Sequence, residues 1–475
     1  MRPPIRIVLL GGGYATVFAY RRLRRRLRQQ IARGSVQVTV VSPLLSHAFH
    51  GWTGEVLAGL IPEAHSETPL RDLFPGARIL CARAVSVCRS SRRVRVQTGR
   101  DGRGETYDLP YDHLLVGFGA RDASEGVPGL QQFGHGVRGA GGISAFRDHV
   151  LDSLERAESA STPPSQGALT FVVAGGGFTG VEHAAALAEL LRAARSRYGV
   201  LRHTVPRVVL AHSGNALLPD LRPRFDRLAN YATRQLTNAG VEVLLNTRLE
   251  SVEADHVTLS DDTQIDCAGV LSTIGTGRVP LPGLPDTSVA PCGRIRTIDT
   301  LRVEGDDTIW AAGDAARVPF RGGPVACPAN ALWAIRQGEH VGENIARSIR
   351  GRTARPFRYR GLGQAASLGV GRGVMELYGV QVTGWPAWIG RLGFFLWFMP
   401  SRSQAARVVL DWMLAPFTAR DLAPSGWATG HGQPDAHPSP VSAVSGSPKR
   451  RSTPVDGGTW HVVRETGVQM QTLGG

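Results

Sequence analysis

Ile5 to Leu10 is a continuous apolar run, Gly11-Gly12-Gly13 interrupts it, and Thr16 to Gln30 follows with helical periodicity before Val36-Gln37-Val38-Thr39-Val40-Val41. An apolar run bounded by glycines predicts a strand buried on both faces, and strand, glycine turn, helix, strand is a βαβ unit. The same order returns at Leu169 to Val173, Gly175 to Gly177, Val181 to Arg195 and Arg207 to Leu210. Two copies predict two dinucleotide-sized modules. Ser161-Thr162-Pro163-Pro164-Ser165-Gln166-Gly167 has linker composition, and a boundary is expected there. A further short strand, Thr308 to Ala312, ends in Gly313-Asp314 ahead of a helix from about Asn330 to Ile349.

From Pro356 to Leu422 the chain turns aromatic and reads as a separate module. Trp385, Trp388, Ile389, Leu392, Phe395, Leu396 and Met399 recur at helical spacing, as do Ala406, Val409, Leu410, Met413 and Leu414. Two apolar stripes flanked by Arg391, Arg402 and Arg407 are the makeup of helices lying in a headgroup interface, where tryptophan is enriched. Packing of the stripes on the protein or on a twin subunit is the alternative. No stretch offers the ~20 continuous apolar residues of a spanning helix. After Ala423 hydrophobic periodicity stops, and residues 423–475 are expected to form a disordered tail.

The 475 residues, 42% hydrophobic and 20% charged with 58 glycines, exclude a single small module and the fibrous and wholly disordered classes. The net charge of +15 rests almost wholly on arginine, since Lys449 is the only lysine. Such an excess favours anionic partners without specifying a fold. The densest run, Arg21, Arg22, Arg24, Arg25, Arg26 and Arg28, reads as the solvated face of a surface helix. Five cysteines without a C-x-x-C pair make neither a disulfide framework nor a zinc site, and fit a reducing compartment. Ile5 to Leu10 is too short for a signal-peptide core.

The chemistry is concentrated in the glycine loops. Gly11-Gly12-Gly13-Tyr14-Ala15-Thr16 keeps the first two glycines of G-x-G-x-x-G, one for the tight turn and one for close backbone approach to a pyrophosphate at a helix N-terminus. Thr16 takes the third position, where its bulk is expected to loosen helix-to-strand packing, and Ser42 stands where an acid would hold a ribose. Gly175-Gly176-Gly177-Phe178-Thr179-Gly180 is complete, and His212 takes the acidic position after its second strand. An acid there would bond the 2′-hydroxyl of NAD and repel the 2′-phosphate of NADP, whereas a protonated histidine would attract that phosphate; His212 therefore predicts weak discrimination. Asp314 is a strand-end acid able to bond a ribityl hydroxyl, or an ordinary helix-start aspartate.

Together these segments, spread over most of the chain, resemble the two-dinucleotide-binding flavoproteins and in particular the type II NADH dehydrogenases. The resemblance is carried by the first loop, by Val40-Val41-Ser42-Pro43 with His47 and Phe49, by Tyr111 to Gly119, by Gly175 to Glu182, by Ser272-Thr273-Ile274-Gly275 and by Gly313-Asp314. It continues through Arg355 to Tyr359, Leu368-Gly369 and Asp411-Trp412. It implies an α/β fold of two Rossmann-like dinucleotide-binding domains, for FAD and NAD(P)H, the second inserted in the first, plus a C-terminal amphipathic helical membrane-binding module. The implied bounds are 1–125 with 290–352 for FAD, 168–289 for NAD(P)H, and 353–422 for membrane association or dimerisation.

By resemblance, FAD lies against Gly11, Gly12, Gly13, Tyr14, Ala15, Thr16, Ser42, Val85, Gly119, Gly313, Asp314 and Ala331, and the substrate NADH or NADPH against Gly175, Gly177, Phe178, Thr179, Gly180, His212 and Gly275. Glu182 lies near where nicotinamide meets flavin; its bland reading is a first-turn acid favourable to the helix dipole. The implied activity is hydride transfer to flavin and electron transfer on to a membrane quinone, respiratory in type and without proton pumping. The implied setting is peripheral, on the cytoplasmic side of the cell membrane, with an anionic lipid surface, no nucleic acid, and room for a homodimer.

Departures concentrate at the acceptor end. The family helix reads Pro-Pro-Thr-Ala-Gln-x-Ala-x-Gln-Gln-Gly, whereas Pro328 to Gly338 puts Leu332 and Arg336 in place of the two glutamines that face the quinone. Leucine cannot imitate an amide, but Arg336 can donate, which makes it the candidate acceptor-side group beside Glu182. Leu332 and Trp333 are expected to line that pocket. The flavin-lining Phe-Gln-Pro-Leu-Leu becomes Phe49-His50-Gly51-Trp52-Thr53. A soluble diaphorase, a sulfide:quinone-type oxidoreductase and a non-catalytic flavoprotein sensor are the alternatives. No cysteine lies between Cys88 and Cys267, and Cys327 reads as a small buried residue. Because the cofactor loops lie upstream, removing the chain after about Gly373 is expected to leave a soluble protein that keeps its flavin.

Overall fold

In the computed structural model, which describes residues 3–99, 103–138 and 141–426, the two glycine-punctuated repeats become two parallel sheets. The first has seven strands in the order Ile309–Ala311, His113–Val116, Ile5–Leu10, Val36–Ser42, Arg78–Cys88, Arg93–Thr98, Thr106–Pro110. Five run parallel, with Leu10 opposite both Val41 and Val116, and the last two fold back as an antiparallel meander. Chain order reverses on either side of Ile5–Leu10, so a crevice opens beyond its carboxyl end, where open α/β sheets take their ligands. Ile309–Ala311 reaches this sheet from far downstream, so the second module is inserted in the first.

That second sheet orders Gly134–His135, Gly269–Ser272, Thr170–Ala174, Arg207–Ala211 and Val241–Leu244, all parallel. Leu249–Val252, His256–Leu259 and Gln264–Asp266 add an antiparallel sheet that shares a core with it. Phe146, Val150 and Leu154 of the helix Gly142–Ser159 pack on the same core as Phe171 and Val173, so the Pro-rich stretch 161–167 lies within the chain of this module. The chain crosses between modules twice, and the crossings pair with each other, Arg121–Asp122 against Thr276–Gly277.

The first helix, Tyr14–Arg26, ends sooner than the periodicity predicts, because the backbone departs at Leu27 (φ −112°, ψ 25°) before a short continuation, Arg28–Ala32. The helix Ala331–Ile349 lies hard against it: a Cβ on Gly338 would collide with the carbonyl of Ala15, and one on Gly342 with that of Ala19. Thr16 does not loosen this packing. Its buried methyl lies over Gly117, where a Cβ would stand 2.8 Å from Thr16 Cγ2, and its hydroxyl donates to Gly13 O at 3.0 Å. In the second module the two residue types change places. Gly180 is pressed against the Gly175 carbonyl, while Thr273, which follows Gly269–Ser272 as Gly117 follows His113–Val116, donates to Ala174 O at 2.8 Å and Gly175 O at 3.1 Å.

After an antiparallel sheet of Gly363–Ser367, Gly373–Leu377 and Val380–Thr383 come the helices Trp385–Phe398 and Arg402–Leu414. They pack on the first module, since Leu392, Met399 and Val408 share a core with Phe49, Trp52 and Ile61. Their outer face is in solvent, with Trp385 65%, Trp397 70% and Leu410 56% exposed. Arg391, expected at the rim of that face, is only 1% exposed, because two carboxylates and a carbonyl meet it inside. Among the described residues no helix is long and apolar enough to cross a membrane. The expected tail begins tethered: Arg147 Nη1 donates to Ala423 O at 2.8 Å, and Asp148 accepts from Ser425 N at 2.7 Å and Ser425 Oγ at 2.8 Å. The rest of it, 427–475, lies outside the described residues.

Candidate functional site

The crevice beyond Ile5–Leu10 is walled by backbone. Gly11 stands at φ +107°, and a Cβ there would lie 2.6 Å from Phe118 Cα, so the turn requires glycine. Gly13 opens the helix Tyr14–Arg26 with no side chain capping it, which leaves first-turn amides for an anion. Ala15 and Thr16 are buried, so their side chains do not face a ligand. Ser42 Oγ lies beside Gly12 but already donates to Leu44 O at 2.7 Å. Gly119, at φ +76°, has open space where a Cβ would stand, and Val85 is exposed at the pairing irregularity between Ala84 and Ser86.

On the far wall, Gln337 Oε1 accepts from Gly313 N at 2.8 Å and fixes the turn that carries Asp314. Burial raises the Asp314 pKa, opposed by Arg138, whose Nη2 is 3.9 Å away; Asp314 makes no hydrogen bond to another described residue through its carboxylate. Asp122 positions Arg138, accepting from its Nη1 at 3.1 Å and from the amides of Val137 and Arg138 at 2.7 Å. Sequence reasoning missed both, since they lie between motifs. Near the mouth, the Tyr14 ring meets His47 edge-on at 4.7 Å, and its hydroxyl accepts from His50 N at 3.0 Å. Burial lowers the His47 pKa to about 4, so its neutral ring donates Nδ1–H to Gly12 O at 3.0 Å.

The second cradle repeats the first. Gly175 is at φ +111°, and Gly177 opens the helix Phe178–Ala194 without a side-chain cap. Phe178 leans on the core, Thr179 O is held by His183 Nδ1 at 2.6 Å, and Gly275, at φ +128°, borders open space. His212 Nδ1 accepts from Gly176 N at 3.1 Å, and burial lowers its pKa. Its ring is neutral, which removes the charged form that would attract a 2′-phosphate.

Between the cradles, Glu182 Oε1 accepts from Arg391 Nε at 2.8 Å and from Ser367 N at 2.7 Å. Arg391 also donates to Glu55 Oε1 at 2.6 Å and Gly51 O at 3.0 Å. Glu182 is thus a bound carboxylate rather than a free acid, and Glu55 and Arg391 are site residues that sequence reasoning missed. Burial raises the Glu55 pKa, with Arg391 opposing.

At the acceptor end, Asn330 Oδ1 accepts from Trp333 N at 3.1 Å and caps the helix that begins at the exposed Ala331. Trp333 does not line a pocket there. It is buried among Phe320, Phe357 and Tyr359, since its indole fills the gap under the segment after Arg355, and only Leu332 stays half-exposed. Arg336 stands 5.9 Å from the Tyr359 ring and 5.8 Å from the Phe398 ring, its Nη1 3.0 Å from Glu339 Oε2. Cys327 is buried, and burial pushes its thiol up to about 11.

Two uncapped, glycine-opened helices and a half-buried carboxylate that accepts no hydrogen bond from another described residue fit a pair of dinucleotides. A family model described as pyridine nucleotide-disulphide oxidoreductase matches residues 5–338. The chain belongs to this family. The chain is 26% identical over 435 residues to the type II NADH:quinone oxidoreductase Ndh of Mycobacterium tuberculosis, covering 87% of this chain and 89% of that relative. It is 26% identical over 419 residues to the demethylphylloquinone reductase NdbB of Synechocystis, covering 86% and 96%. The structure of NDH2 from Plasmodium falciparum in complex with NADH superposes with a TM-score of 0.78 at 15% identity, over 88% of this chain and 99% of that one. The resemblance read from the motifs is borne out, and the match in fold runs past the family model into the C-terminal helices.

Proposed function

We propose that the chain is an FAD-dependent NAD(P)H dehydrogenase of the quinone-reducing type. The observation that carries it is the pair of cradles in one crevice system, both opened by uncapped helices, in a chain similar nearly end to end to type II NADH:quinone oxidoreductases. Gly11 to Thr16 would hold the FAD pyrophosphate through their amides and Asp314 a ribityl hydroxyl, with Gly119 and Val85 along the cofactor. Gly175, Gly177 and Gly180 would hold the nicotinamide dinucleotide, with His212 and Gly275 at its edge. Bound there, FAD would supply hydride acceptance from the nicotinamide and two-electron transfer to a quinone that takes up two protons. Arg336 donates a hydrogen bond to the acceptor carbonyl, and Glu182 and Glu55 stay fixed by Arg391.

The same reading divides the chain at 1–125 with 290–352, 168–289 and 353–422. It places the exposed face of Trp385, Trp397 and Leu410 on the cytoplasmic side of the cell membrane, with anionic lipid as its surface and a homodimer compatible with part of it. The test is a purified protein that is yellow, bleaches anaerobically with NADH and turns over with menaquinone or ubiquinone. A colourless protein that cannot be reconstituted with FAD overturns the reading; turnover with oxygen or dyes but no quinone moves it to a diaphorase.

A further inference from the structure

The arginine run of the first helix is only half used by the fold. Arg22 and Arg26 both donate to Glu343 Oε2 at 2.7 Å, on the adjoining helix. Arg21, Arg24 and Arg25 recur at i, i+3 and i+4, the spacing of one helix face, Arg28 opens the short continuation beyond the break at Leu27, and all four are exposed. Among the described residues, Arg24, Arg25 and Arg28 have no carboxylate partner.

The stripe starts at the edge of the apolar face. Arg21 donates to the Pro400 carbonyl, in the turn between the two C-terminal helices. Beside that turn the Arg402 guanidinium stands 5.7 Å over the ring of Trp397, itself 70% exposed. A cluster of guanidiniums that outnumbers the carboxylates beside it, Glu339 and Glu343, and is set against exposed indole is the chemistry that receives phosphate oxygens and acyl chains together.

We propose that Arg24, Arg25 and Arg28, with Arg21 and Arg402, form a headgroup-binding rim that seats the Trp397 edge of the C-terminal helices on an acidic bilayer. The proposal rests on the peripheral attachment proposed above, and it assigns the selectivity for anionic lipid to the first helix of the nucleotide fold and its short continuation rather than to the C-terminal helices alone.

The test is sedimentation of the full-length holoenzyme with vesicles of phosphatidylcholine alone or mixed with phosphatidylglycerol, at low salt. The triple variant Arg24→Gln/Arg25→Gln/Arg28→Gln is expected to lose about a hundredfold in partitioning onto the mixed vesicles. Its binding to phosphatidylcholine and its NADH oxidation with a water-soluble quinone should stay at the parent level. Arg195→Gln/Arg227→Gln/Arg234→Gln removes the same charge from exposed positions of the second module and should lose only a few-fold. Equal losses in the two triples, or none in the first, overturn the rim, as does a first triple that loses duplex RNA binding while keeping its vesicles. NADH oxidation in the same samples reports separately on the oxidoreductase reading.

Discussion

Arg391 Nε donates to Glu182 Oε1 at 2.8 Å across a chain separation of 209 residues. The same guanidinium binds Glu55, so one buried cation from the C-terminal helix Trp385–Phe398 ties the second-module helix to the turn beside the first cradle. Breaking a buried ion pair leaves an uncompensated charge, at a cost of about 3–5 kcal/mol. Arg391→Met should therefore lower the thermal midpoint of the holoenzyme sharply, and Arg391→Lys should lower it less. Cutting the chain after Gly373 removes this cation and uncovers Phe49 and Trp52. The soluble, flavin-bearing product expected from the sequence is accordingly replaced by an insoluble or flavin-free one; recovery of a yellow soluble fragment would show that the clamp is dispensable.

Arg336 stands between Tyr359 and Phe398 with Glu339 as its ion partner. If it donates to the acceptor, Arg336→Ala should raise the quinone KM by about tenfold or more, the worth of a hydrogen bond from a charged donor. Anaerobic flavin reduction by NADH should not change, because that half-reaction uses the other cradle. Stopped-flow reduction beside steady-state quinone titrations separates the two; equal losses in both would place Arg336 in the fold rather than at the acceptor.

His212 is neutral and its Nδ1 already serves Gly176 N. A carboxylate there would face a 2′-phosphate as a like charge, which costs several kcal/mol when desolvated. His212→Glu should therefore favour NADH over NADPH by about tenfold or more in kcat/KM relative to the parent protein. An unchanged ratio means that this position does not reach the ribose.

What the sequence discloses is what it carries locally. The cradles were legible because G-x-G-x-x-G, its strand and its helix lie within one short segment, and the helix read from about Asn330 to Ile349 is the observed Ala331–Ile349. Arg391 was misread as a rim residue because its partners, Glu55 and Glu182, lie 336 and 209 residues away, and no periodicity reports a contact of that kind. Trp333 was misplaced for a similar reason: its neighbours Phe357 and Tyr359 arrive from the segment beyond the helix. Arg138 and Asp122 carry no motif, and only the fold brings them to Asp314.

Burial lowers His47, His113 and His135 to about 4, from an ordinary 6.5. Between those values the unfolded chain binds protons that the folded chain does not, so stability rises with pH there. The contribution is complete above pH 6.5 and is lost as pH falls toward 4. The thermal midpoint should drop over that window, and His113→Gln, which removes one such group from beside Trp310, should flatten the slope. An unaltered slope would mean that the folded protein protonates this imidazole normally.

Thr16 over Gly117 in one module and Gly180 under Thr273 in the other make a sharper test, because the same contact is built with opposite donors of bulk. A Cβ on Gly117 would crowd only Thr16 Cγ2, at 2.8 Å, with Ala15 Cβ at 3.5 Å and Leu10 O at 3.7 Å in ordinary contact, and its φ is not left-handed. Gly117→Ala should destabilise by about 1–3 kcal/mol, the usual cost of overpacking. Adding Thr16→Ser removes the obstructing methyl and keeps the hydroxyl that donates to Gly13 O, so the double variant should recover most of the loss. In the second module a Cβ on Gly180 meets the carbonyl of Gly175 as well as Thr273 Oγ1 at 2.7 Å, and backbone cannot step aside. Gly180→Ala should therefore stay destabilised whether or not Thr273 is replaced by alanine. Denaturation midpoints across both cycles decide it: coupling of about 1 kcal/mol or more at Thr16 and Gly117 but little at Gly180 and Thr273 is the expected pattern. The reverse would mean that the first helix, and not Gly117, gives way to accommodate Thr16.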